Sequence, residues 1–537
     1  MPNITAIDTS VLITILGLIA AVWAVVPSNT RLRFRLSMSW FDWVIAIGVF
    51  LVIHYLVFEQ FFRSVGLFYS FGPWRWGLDK GSTVYLLLLG LGLYVLIRAR
   101  APKLAKGKIG TFEELLHALL LTKRYDELFT LIDPHLFKLF EFTKHRPLLV
   151  RLVKKISPMP CIPPSYMDDG KLVTREIREG FIKMRFRSAL SWLESKLATR
   201  ARLADRAQDL LKIILNKPDF VAYLSVSHPH FCLRVLTIPE VIREDFTDLC
   251  VEALIADSNS LLYSELKNNQ NSNGQYRLDL PPSNRILYFL FSNVTVAGKL
   301  AVYQPIGNSV GRRIDEDPKL VEAYNRPMGS FNESGKYRCP VYAGIKLFQI
   351  MIHEGIHQGA QDHLWLFYLR NFTDKILKQL RDRHLDDSNH EYPTPFHFLI
   401  CEIVTTTSNW VDDCFEVKEC FVADQVSKAQ GFDSQYISKQ AAKSLGSITQ
   451  SILLSPKIDD RFKCYVLEIS MERFKRLQGR KDAVPVANAF IKSMIFGNGF
   501  LKDGYQQELY RVYKELDHEL RHGVRSFGEV LENAIKE

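Results

Sequence analysis

Three apolar blocks before residue 100 constrain this chain more than anything else in it. The first, Val11 to Val26, sits in a stretch with no charge between Asp8 and Arg31. The second runs from about Trp43 to Phe58, and the third from about Ser82 to Ile97, centred on Leu86 to Leu89. Each reaches about 16–20 residues, near the length a helix needs to cross a bilayer. A signal peptide fits the first block poorly, because it lacks a basic n-region and a small-residue cleavage site. The expectation is a three-span membrane anchor over residues 1–108.

Lys and Arg placement predicts the orientation. Arg31, Arg33 and Arg35 lie between the first two blocks, and Arg98, Arg100, Lys103, Lys106 and Lys108 follow the third. The intervening segment, Phe62 to Gly81, is rich in aromatic residues and holds only Arg63, Arg75 and Lys80. The positive-inside rule then puts the N-terminus outside and the large C-terminal region in the cytoplasm of a multi-pass protein of the cell (inner) membrane. The basic run after the third block would sit on anionic lipid. It accounts for part of the net charge of +10 without nucleic acid as a partner. His54 and Glu59, near the end of the second block, read as interfacial, with Arg63 one turn from Glu59.

A chain of 537 residues is too long for one core. We divide it into the anchor (1–108), a helical connector (109–160), a helical domain (161–284) and a metal-binding domain (285–537). Pro158, Pro160, Pro163 and Pro164 mark a linker. All eight cysteines follow the apolar blocks and none forms a C-x-x-C pair, which suits a reducing compartment and argues against a cysteine-based zinc knuckle. The soluble part reads as mainly α. Ile286 to Val296 and Leu300 to Pro305, rich in β-branched and aromatic residues around Ala297-Gly298, read as a small β hairpin. Gly307 to Arg313 lacks the Lys-Ser/Thr ending of a P-loop and reads as a surface loop.

The chemistry concentrates in His353-Glu354-Gly355-Ile356-His357, at the end of an apolar run and on a helix expected to start near Val341 and continue past Phe367. Residues four apart share a helix face, so both imidazoles can reach one ion. The adjacent Glu354 is then placed to take a proton from metal-bound water. With 14 His in the chain, chance yields such a string roughly 0.02 times. On this motif the segment from Ile286 to Asp413 resembles the zincin metallopeptidases. The resemblance implies a zinc-dependent hydrolase acting on a peptide or protein, with His353 and His357 as metal ligands and Glu354 as general base. One zincin subfamily adds a third His after a Gly. Here His363 stands at that distance, but Ala360 occupies the Gly position. The other takes a Glu from a later helix, and Glu402, set among apolar residues, is the candidate third ligand.

A second string, His518-Glu519-Leu520-Arg521-His522, lies among charged neighbours and reads as a solvated helix. The paired Glu354-x-x-His357 and Glu519-x-x-His522, with Glu402, also leave open a di-iron carboxylate protein. A further alternative is a non-catalytic, membrane-anchored helical effector or scaffold that acts by oligomerising.

Overall fold

A computed structural model describes residues 36, 38–67, 80–100, 104, 106–144, 165–168, 171–174, 202–238, 243–268, 280–361, 364–381, 392–417, 431–499 and 501–536. The chain divides into two units, Met1–Ile214 and Leu215–Glu537.

In the first unit, α1 (Trp40–Val57) coincides with the second apolar block. It is long and apolar enough to cross a membrane, with a mean hydropathy of 2.0. After the short α2 (Glu59–Ser64), α3 (Lys80–Arg100) carries the third block and packs on α1. The apolar part of α3, Gly81–Val95, is shorter than a full span. The first block lies outside the described residues. The expected three spans are therefore corrected: among the described residues one helix meets the length and hydropathy of a span. The reason is that Lys80 begins α3 and Tyr85, Gly90, Gly92 and Tyr94 dilute its leucines.

Asp42 in the first turn of α1 is buried. Its carboxylate accepts from the Ser39 backbone N–H at 2.6 Å, from Ser39 Oγ at 2.7 Å and from the Tyr94 hydroxyl of α3. A carboxylate at a helix N-terminus completes a capping box and meets the positive end of the helix dipole. His54 Nδ1 bonds the Phe50 carbonyl at 2.9 Å, and Glu59 pairs with Arg63. Helices α4 (Ile109–Leu121), α5 (Tyr125–Ile132) and α6 (Leu136–Thr143) follow, then a two-stranded antiparallel hairpin of β1 (Ser165–Asp168) and β2 (Lys171–Thr174), and α7 (Arg202–Leu215).

The second unit is helical throughout its described residues. Its first part comprises α8 (Pro218–Ser227), α9 (Pro229–Leu236), α10 (Arg243–Ala256), α11 (Leu261–Asn268), α12 (Arg285–Phe291), α13 (Val294–Lys299), α14 (Tyr303–Glu316) and α15 (Pro318–Tyr324). Next come α16 (Pro340–His357), α17 (Leu364–Gln379), α18 (Pro395–Asp412) and α19 (Tyr436–Leu453). The unit ends with α20 (Asp460–Gln478), α21 (Val484–Phe496), α22 (Tyr505–Glu515), α23 (His518–Gly523) and α24 (Arg525–Lys536).

Helices pack in sequence along the unit. α8 lies on α10, α10 on α14, and α14 on α16 and α17. α18 packs on α16, α19 and α20, and α19 on α21. The close crossings depend on glycine. A Cβ at Gly307 of α14 would lie 2.0 Å from Tyr368 of α17, and one at Gly344 of α16 would lie 2.7 Å from Val310 of α14.

Two expectations fail in this region. The proposed hairpin is helical: Ile286, Leu287, Leu290, Phe291, Val294 and Ala297 are buried at helical spacing, so burial overrides the β propensity of these residues. The Glu265 carboxylate of α11 accepts from Ile286 N (3.0 Å) and Leu287 N (3.0 Å), and Asn293 Oδ1 accepts from Thr295 N (3.1 Å). These bonds supply the caps that start α12 and α13. The Gly307–Arg313 loop is likewise the middle of α14.

Candidate functional site

Cys339 and Pro340 start α16. The Cys339 sulfur accepts from Tyr342 N at 3.3 Å, and Pro340 sits where a helix needs no N–H donor. The helix ends at His357, and Gly359 follows with φ of 72°. It therefore does not continue past Phe367 as the apolar spacing suggested, because the chain turns through a left-handed residue. Apart from Pro340, Lys346, Gln349 and His353, every residue of α16 is buried.

The two imidazoles of the motif lie together, with ring centroids 4.6 Å apart and ring planes 55° apart. His357 is buried, and His353 is half-buried. Glu354 is 0% exposed, and its Oε2 accepts from Gln358 Nε2 at 2.7 Å. The same Gln358 amide donates to the Phe291 carbonyl at 3.0 Å and accepts from Val294 N at 2.8 Å. Gln358 thus ties the end of α16 to the junction of α12 and α13, with Glu354 as the acidic member of the clasp.

Glu402 lies elsewhere on the helix pair. Its Oε2 meets Lys346 Nζ at 3.0 Å, and the two side chains are 25% and 28% exposed. Lys346 is two turns before His353, about 10 Å along the helix axis. Glu402 acts on the first half of α16: burial first, and then this carboxylate, pushes the Tyr342 hydroxyl up. Residues His353, His357 and Glu402 are therefore not brought to one point. A catalytic zinc takes three protein ligands. Among the described residues, no group of three or more His, Cys, Asp or Glu is placed to hold a metal ion. His363 lies outside the described residues.

The second string forms the six-residue α23, with His518, Glu519 and His522 exposed and only Leu520 buried. It packs on α20 and α24. Neither α20 nor α24 carries Glu354 or His357.

A feature not identified from the sequence runs beside the motif. Of the residues in α18, only Glu402, Thr405, Asn409 and Asp412 are not buried, at spacings of three, four and three. The matching stripe on α16 is Lys346, Gln349 and His353. The Lys346–Glu402 pair joins the two stripes, and α16 packs on the turn Asp413–Glu416 that follows α18. Asp412 Oδ2 lies 3.5 Å from Arg473 and 4.0 Å from Arg476. Burial, and then the neighbouring Asp412, push Asp413 up to about 7. The signal was present in the sequence: polar residues recur once per turn in an otherwise apolar helix.

A cleft of about 580 Å³ opens between α14 and α17, lined by residues that include Asn308, Arg312, Tyr368, Asn371 and Lys375. None of its lining residues belongs to the motif. Its cations are engaged: Arg312 with Glu252 at 2.6 Å, and Lys375 with Asp315. The chain matches no family model, no curated protein and no solved structure.

Proposed function

We propose that this chain is a membrane-anchored helical effector or scaffold that works through protein contacts, and that His353-Glu354-Gly355-Ile356-His357 is a structural clasp within its cytoplasmic unit. The observation that carries this reading is the engagement of Glu354. A general base must reach a water and release its proton. Here the carboxylate is fully buried and bound to an amide whose other bonds fix α12 and α13. Glu402 is engaged in the same sense by Lys346. Helix α1 supports the anchoring half of the proposal, since Trp40, Phe41, Ile47 and Leu51 are exposed along it. Self-association through α1 then brings copies of the second unit together.

Metal analysis of the full-length protein in detergent tests the clasp. The expected result is zinc far below one per chain, and Glu354→Ala lowers the unfolding midpoint without changing metal content. About one zinc per chain, lost on His353→Ala, would overturn it. Protease protection in sealed vesicles tests the orientation. Cleavage of the second unit from the outer side of right-side-out vesicles contradicts it.

A second reading rests on one observation, the 4.6 Å approach of the His353 and His357 rings. Two imidazoles so close suit a shared cation, and under this reading the chain is the zinc-dependent hydrolase that the motif resembles. The same metal analysis separates the two.

A further inference from the structure

The cleft between α14 and α17 is built from two facing rows of side chains. Asn308, Arg312 and Asp315 stand at spacings of four and three on α14, and Tyr368, Asn371 and Lys375 at spacings of three and four on α17. Residues so spaced share one face of a helix. The rows close on each other at both ends. The Tyr368 hydroxyl donates to Asn308 Oδ1 at 3.5 Å, and Lys375 pairs with Asp315. The middle stays open. Opposite Asn371 the α14 residue is Gly311, where an added Cβ would lie 3.6 Å from Asn371 Oδ1. Glycine offers no side chain there, and among the described residues Asn371 makes no hydrogen bond. An exposed amide, with two N–H donors and a carbonyl acceptor, therefore faces bare helix backbone at the centre of the cleft. Phe367, 56% exposed, belongs to the same lining.

The charges of the lining select the ligand class. Arg312 is matched by Glu252 and Lys375 by Asp315, while Glu316 makes no ion pair among the described residues. A phosphate or carboxylate would meet cations already paired and one further carboxylate. An organic cation would meet Arg312 and Lys375. We infer that the cleft is a binding site for a neutral saccharide, held by Asn371 and Asn308 and stacked on Phe367. A sugar hydroxyl both donates and accepts, so it can bond amides and the outward atoms of ion pairs without bringing charge. The C–H face of a sugar ring suits the electron-rich face of a phenyl ring. The volume of about 580 Å³ lies within the range of small-molecule sites, about 300–1,000 Å³. The ligand takes the place of the side chain that Gly311 lacks, and so bridges α14 and α17. The site shares no residue with the clasp at His353–His357, and the inference does not depend on the scaffold reading.

The test uses the full-length protein in a detergent without a sugar headgroup, titrated with maltose, cellobiose, sucrose and N,N′-diacetylchitobiose and followed by saturation-transfer NMR. At least one of the four is expected to bind with a Kd of about 1 mM or tighter. Asn371→Ala and Phe367→Ala, both at exposed positions, should each weaken that binding about tenfold or more. Glu316→Gln should leave it unchanged, and so should Asp374→Ala, which lies on α17 outside the lining. Sugar binding that survives in both Asn371→Ala and Phe367→Ala would overturn the inference. Binding of adenosine diphosphate or spermidine in place of the sugars would do so as well, and so would binding of none of these probes.

Discussion

Helices α1 and α16 are each 18 residues long, each strongly apolar, and each hold one buried carboxylate. Their surroundings are opposite. The apolar side chains of α1 face outward, whereas those of α16 are enclosed by α10, α14, α17 and α18. Their carboxylates differ too. Asp42 lies in a first turn, where the helix dipole favours an anion, and accepts from its own N-cap and from Tyr94. Glu354 lies in a last turn, where the dipole opposes an anion, and is compensated by Gln358. Apolarity alone therefore does not separate an enclosed helix from one whose apolar side chains are exposed. Which neighbours pack on it does.

The comparison can be broken in four ways. The largest effect is expected from large-to-small substitution. Phe348→Ala, at a site 0% exposed, should cost about 3–5 kcal/mol, whereas Phe50→Ala, 49% exposed, should cost less than about 1 kcal/mol. Equal losses, read by chemical unfolding in detergent, would mean that α1 is also packed against protein.

The enclosed side also predicts acid sensitivity. Burial holds His397 of α18 down to about 4, so the imidazole is neutral in the folded protein. The unfolded chain binds a proton below about 6.5, so stability should be full above that pH and fall as pH drops toward 4, by up to about 3 kcal/mol. His397→Gln should flatten this limb in a series of unfolding midpoints against pH. An unchanged limb would assign it to other groups.

Glycines sharpen the contrast further. Gly307→Ala places a Cβ against the Tyr368 ring and should cost about 1–3 kcal/mol. Gly48→Ala in α1 meets nothing within 4 Å and should be neutral or stabilising by up to about 1 kcal/mol. Thermal midpoints of the two variants that shift alike would remove the distinction. The smallest difference is expected between the carboxylates. Glu354→Ala should cost about 1–3 kcal/mol because Gln358 loses a buried partner, and Asp42→Ala about 1 kcal/mol for the lost cap. A larger loss for Asp42 would show that its bond to Tyr94 outweighs the clasp.

Much of the helical framework was legible in the sequence, because it follows from short-range rules. The second apolar block, the start of α16 at Pro340, and the solvated second string are set by composition, capping and charge pattern. The failures share one cause. Ile286 to Val296 reads as strand because its β-branched residues outweigh a burial pattern that only tertiary packing enforces. Gly307 and Gly311 suggest a loop because helix crossings are invisible in one dimension. The Lys346–Glu402 pair is not legible either, because its two members lie far apart in the sequence. The helix carrying the motif is shorter than its apolar period suggests because Gly359, with its positive φ, gives little signal beside that period.

The Gln358 amide has a fixed polarity. Its NH₂ faces two acceptors, the Glu354 carboxylate and the Phe291 carbonyl, while its oxygen faces the Val294 N–H. A side chain of the same shape but opposite hydrogen-bonding character would therefore fit the space and still be rejected. Glu at position 358 would set oxygen against oxygen at both acceptors. This near-isosteric replacement should unseat α12 and α13 more thoroughly than removing the side chain altogether.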